Sequence, residues 1–100
     1  GNGHVANIIN SIPTKINLKE AYPNPFNPST SINFDISEYS YIKLSIYNLS
    51  GQLIDVLIDD NKKAGSYEIT WNAFNQASGM YFLQMETDNT LHRQKLMLIK

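Results

Sequence analysis

A chain of one hundred residues, 42% of them apolar, with five Gly and four Pro, has enough material for one buried core and no room for a second domain beside it. Eight Lys and Arg against nine Asp and Glu give a net charge of −1 with Lys62-Lys63 as the longest basic run, which argues against nucleic-acid binding and against electrostatic docking to anionic lipid. There is no cysteine for a disulfide framework or thiolate zinc site; no apolar run nears the roughly 20 residues of a membrane helix, and the first residues lack the order of a signal peptide.

In chain order, residues 1–12 mix Gly and Asn with a few aliphatics and show no period, so they read as a linker or tail, and the domain is expected over 13–100. Residues 14–21 alternate, with Ile16 and Leu18 on one face and Lys15, Asn17 and Lys19 on the other, which predicts a short first strand. Pro23, Pro25 and Pro28 then fix their own φ and push their predecessors out of the helical region, giving a rigid extended corner. Ile32, Phe34 and Ile36 share one face of the next strand, opposite Ser31, Asn33 and Asp35.

Ile42, Leu44 and Ile46 point inward from a third strand, with Tyr41, Lys43, Ser45 and Tyr47 on its other face. Asn48-Leu49-Ser50-Gly51 supplies the turn of a hairpin. The following strand, 52–58, competes with a helix because Leu53, Ile54, Val56, Leu57 and Ile58 also fit helical spacing, but it is too short and too near Gly51 for a helix. Asp59 to Lys63 is expected to end it in a solvated turn. Tyr67, Ile69 and Trp71 share a face of the fifth strand; residues 79–87 are apolar on both faces, as in a mid-sheet strand. Residues 91–100 close the set, with Leu96, Leu98 and Lys100 on one parity and Lys95, Met97 and Ile99 on the other. Seven short strands between Gly, Asn, Asp and Pro turns, with no credible helix, predict an all-β, seven-stranded immunoglobulin-like antiparallel sandwich, a small barrel being the alternative.

Five ordered blocks carry a family resemblance. Tyr22-Pro23-Asn24-Pro25-Phe26-Asn27-Pro28-Ser29-Thr30 resembles the opening signature of the C-terminal sorting domains of the type IX (Por) secretion system. Residues 42–51, ending in Tyr47, Asn48 and Gly51, resemble the family's hydrophobic strand and turn; 64–71 with Trp71, 77–82 with Gly79, and 95–100 resemble the later blocks. Two positions depart from the pattern: Glu20-Ala21 stands where Gln-Asn is usual, and Gln52 where Arg commonly follows the hairpin glycine.

The resemblance implies a non-catalytic address label joined to a secreted cargo. It implies recognition by translocon components at the outer membrane, removal by a sortase-like signal peptidase, and passage through the periplasm to the cell surface or exterior. Similar immunoglobulin-like domains occur in flagellar hook-capping proteins, so fold alone does not set the role.

Weighed residue by residue, the chain offers little chemistry. His4 and His92 have no Ser-Asp neighbours for a triad. Asp59-Asp60-Asn61 lacks the ligand count and turn glycine of a calcium loop, and Asn48-Leu49-Ser50 reads as turn chemistry rather than as a glycan acceptor. No cofactor or metal is expected. Trp71, Tyr67, Tyr81 and Phe82 fit core packing better than a carbohydrate platform.

Lys95, Leu96, Leu98, Lys100 and Gly79 are the residues expected to be read by the translocon, either by strand addition or with the lysines guarding an edge. Tyr22 to Pro28, Gly51 and Trp71 form the structural signature. A monomer is expected. A structural spacer or carbohydrate-binding accessory module of a secreted enzyme is the competing function.

Overall fold

The computed structural model describes residues 15–100; the expected linker over 1–12, and His4 within it, lie outside the described residues. Seven strands follow in order: β1 (Asn17–Leu18), β2 (Ser29–Ile36), β3 (Ser40–Asn48), β4 (Leu53–Lys62), β5 (Gly65–Asn72), β6 (Gly79–Glu86) and β7 (Leu91–Leu98). They form two sheets, one in the order β1-β2-β5 and the other in the order β4-β3-β6-β7, and every neighbouring pair of strands is antiparallel. No helix is present among the described residues. This is the expected two-sheet, seven-stranded sandwich.

Period-two patterning decides the layers. Ile32, Phe34 and Ile36 of β2 face Ile42, Leu44 and Ile46 of β3 across the core, joined by Leu83 and Met85 of β6 and Leu96 and Leu98 of β7; all are buried. Complete burial of each such side chain stabilises the fold by roughly 1.5–3 kcal/mol, so ten in one layer outweigh the few buried polar groups. β6 lies between β3 and β7, as expected of a mid-sheet strand; its Tyr81, Leu83 and Met85 enter the core, while Met80, Phe82, Gln84 and Glu86 make up its other, mixed face.

The hairpin between β3 and β4 turns on Asn48. Its side-chain Oδ1 accepts from the Ser50 and Gln52 amides at 3.0 and 2.9 Å, and its Nδ2 donates to Gln52 Oε1 at 2.8 Å. Gly51 adopts φ +86°, in the left-handed region where a Cβ would be strained. Gln52, the departure from the family pattern, therefore has a partner within the turn.

Three boundaries differ from expectation. The first strand has only two residues; beyond it the chain stays beside β2, with the Lys19 amide donating to Asn33 O at 2.9 Å, but other groups of residues 19–21 turn to Gln94 of β7, whose Nε2 donates to Lys19 O and whose Oε1 accepts from the Ala21 amide, both at 2.8 Å. Asp59, Asp60 and Asn61 are strand rather than turn, paired with Lys43, Ile42 and Tyr41 of β3; an edge strand lets acids reach water. β7 stops at Leu98, after which the Lys100 amide donates to Ser78 Oγ at 3.1 Å and its ammonium to Phe74 O at 2.6 Å.

Candidate recognition surface

The outer side of β7, away from β6, would be a free edge if the sandwich ended there. Residues 24–26 cover it. Asn24 uses both halves of its amide: Nδ2 donates to Lys95 O at 2.9 Å, and Oδ1 accepts from the Met97 amide at 3.0 Å. Two residues on, the Phe26 amide donates to Met97 O at 2.9 Å and Phe26 O accepts from the Ile99 amide at 3.0 Å, a short parallel pairing beside Leu98. With the two Gln94 bonds, the edge of β7 from Gln94 to Ile99 is stitched to residues 19–26.

Phe26 also turns its ring inward. It is 2% exposed and lies 5.6 Å from Trp71, which in turn meets Tyr81 edge-on at 5.4 Å. Such tilted aromatic pairs add about 0.5–1.5 kcal/mol each beyond the area they bury. Tyr81 Oη donates to Ala77 O at 2.6 Å, so the phenol of the cluster is satisfied.

The rest of the Pro-rich segment turns back onto β2 and β5. Pro23 O accepts from Thr30 Oγ1 at 2.7 Å, Pro28 O accepts from the Ala73 amide at 2.9 Å, and Tyr22 makes an antiparallel bridge with Ser31. Pro23, Pro25, Asn27 and Pro28 are themselves exposed. The contribution of the prolines is conformational: each fixes its own φ, and Pro25 keeps Asn24, the residue before it, out of the helical region and in the form that β7 accepts.

The sequence profile described as secretion system C-terminal sorting domain matches residues 20–100, and so takes in this whole arrangement. The chain belongs to that family, the C-terminal sorting domains of type IX secretion. No curated protein matches the sequence. The fold of the sorting domain is similar to part of the crystal structure of dimeric latent PorU from Porphyromonas gingivalis, with a TM-score of 0.65 and 15% identity over 82% of this chain. The matched part is 9% of that chain, and at this identity the likeness concerns the fold. Membership in the family implies export of an attached cargo toward the cell surface or the extracellular space.

The five residues expected to be read by the translocon are brought to one end of the sorting domain but differ in accessibility. Leu96 and Leu98 are core residues, 0% and 1% exposed. Lys95 is exposed, with its carbonyl held by Asn24. Gly79 pairs with Leu98 at the start of β6, at φ +150°. The Lys100 ammonium is occupied by Phe74 O.

The edge is thus guarded by a peptide segment, while the sequence pointed to the lysines. Gln94 was missed by sequence reasoning. A polar residue on a strand face carries no signal that its amide will bond a backbone 75 positions away.

Of the four aromatics weighed as a glycan platform, Trp71 and Tyr81 are buried and Tyr67 is half-buried, stacked 5.4 Å from Phe34. Phe82 faces outward instead. With Tyr47, Leu49, Gln84 and Arg93 it lines a shallow groove of about 430 Å³ at the β3–β4 hairpin. Arg93 is fixed there by Nη2 and Nε donating to Gln84 Oε1 at 2.8 and 3.3 Å. Among the described residues, no group of three or more His, Cys, Asp or Glu side chains is placed to hold a metal ion, and no helix is long and apolar enough to cross a membrane.

Proposed function

We propose that the sorting domain carries a covalently attached cargo through the type IX translocon of the outer membrane, after transit of the periplasm, without chemistry of its own. The observation that carries this reading is the profile match over residues 20–100, whose opening segment is the one that fastens the last strand. A folded, sealed sandwich offers a fixed surface for a receptor to read. In this reading Lys95, Lys100 and Gly79 present that surface, and Leu96 and Leu98 set its register from inside the core.

A sortase-like signal peptidase then removes the domain by cutting on the N-terminal side of the sandwich, within or next to residues 1–11. The domain acts as a monomer. The carbohydrate-binding alternative is weakened by the burial of Trp71 and Tyr81.

The deciding experiment fuses residues 13–100 to a fluorescent protein bearing a signal peptide and compares medium with periplasm in a type IX-competent strain and a translocon-null strain. Export only in the competent strain is the expected result. Periplasmic retention in both would reduce the domain to a structural spacer. A second fusion that keeps residues 1–100 lets mass spectrometry of the exported product place the cut, expected within or beside residues 1–11; a cut inside the sandwich would overturn that placement.

A further inference from the structure

The opposite side of the sandwich is built differently. β4 ends one sheet and β5 ends the other, and among the described residues neither has a strand on its outer side. Between these two edges runs an open groove of about 410 Å³. Half-buried Leu57, Ile58, Tyr67 and Ile69 form its floor, and Asp60 and Glu68 stand at its rim. The same four apolar residues pack against the main core, so the floor is core surface left uncovered. Lys62, the one cation lining the groove, sits with its ammonium 5.6 Å from the Tyr67 ring centroid.

We propose that this groove docks an extended strand of another protein, one in which apolar residues alternate with Lys or Arg. The backbone argument is that β4 presents ten residues of strand paired on one side only, the template for strand addition. Charge selects the occupant. β4 carries Asp55, Asp59 and Asp60 against Lys62, and β5 carries Glu68 with no cation. A second copy would bring together edges that are both net negative, β4 with three acids to one Lys against β4 or β5, and like-charged edges disfavour a strand pair. A cationic strand meets complementary charge at the same positions, while its alternate apolar side chains enter the groove as Phe26 enters the core on the β7 side. This docking does not depend on which face the translocon reads, and export can be intact whether or not it occurs.

The test is a nuclear magnetic resonance titration of the full 100-residue chain with the peptide acetyl-Thr-Lys-Val-Arg-Val-Lys-Val-Thr-amide, alongside its counterpart with Glu at every cationic position. The expected result is chemical-shift change and slowed amide exchange along β4 and at Tyr67 to Ile69 with the cationic peptide. The Glu peptide is expected to bind at least about tenfold more weakly, and Asp60→Lys with Glu68→Lys to cut cationic binding by about tenfold, the equivalent of ~1.4 kcal/mol. An unchanged spectrum at β7 and Asn24 verifies that the double variant keeps its fold. The proposal is overturned by any of three results: no shift at millimolar cationic peptide, equal binding of the two peptides, or shifts centred on β7.

Discussion

The two lateral seams of this sandwich pose the same physical problem and solve it differently. At the β7 seam, residues 19–26 bond the Gln94 side-chain amide and the outer backbone groups from Lys95 to Ile99, and drive an aromatic ring into the core. At the β4/β5 seam the edges stay open over a half-buried apolar floor. The family's opening signature is thus a lid for one edge only. A strand held in this way resists exchange with other chains, so the terminal block is presented in one fixed register.

The strongest way to break the contrast is to empty the closed seam. Phe26→Ala removes a buried ring from against Trp71 and is expected to cost about 3–5 kcal/mol, read as a lower denaturant midpoint. A loss under about 1 kcal/mol would mean that the segment merely lies on the surface. Asn24→Ala leaves the ring in place and cuts the two bonds to Lys95 and Met97. Its expected cost is about 1–3 kcal/mol, with faster exchange at the Met97 amide while β3 and β6 amides keep their protection. Uniform acceleration would show that the latch has no local character.

The open seam should be insensitive by comparison. Leu53 is 52% exposed at the start of β4, so Leu53→Lys is expected to change stability by no more than about 0.5 kcal/mol. A large loss would reveal packing on this edge that its exposure does not register.

Much of this contrast was legible in the sequence, and the failures are instructive. Alternation in Ile32, Phe34 and Ile36, in Ile42, Leu44 and Ile46, and in Tyr67, Ile69 and Trp71 gave the inward faces correctly, because a two-layer sandwich imposes that period on each buried strand. The acidic end of β4 was misread as a turn because solubility and turn chemistry draw on the same residues, and only pairing with Tyr41, Ile42 and Lys43 separates them. At the candidate surface, Leu96 and Leu98 could be placed on one parity. That their edge was already taken by Asn24 and Phe26 depends on contacts more than 70 residues apart, which no local pattern encodes.

The smallest expected effect concerns how the open-seam strand is held by its single neighbour. Tyr41 of β3 donates its phenolic proton to Asp59 Oδ1 of β4 at 2.6 Å. That hydrogen bond, followed by desolvation and the nearby carboxylates of Asp59, Glu86 and Asp88, pushes the Tyr41 pKa up to about 12. A phenol whose folded pKa lies above its unfolded value near 10 binds more protons folded than unfolded between those limits. Its contribution is therefore complete below pH 10 and is lost as pH rises toward 12. Tyr41→Phe removes the hydroxyl and is expected to lower stability slightly at every pH below 10, by the small amount that suits a solvent-facing pair, and to flatten the profile between pH 10 and 12, where the two proteins converge. Identical profiles for the two proteins between pH 10 and 12 would mean that the bond does not help hold β4, and that its ladder with β3 suffices.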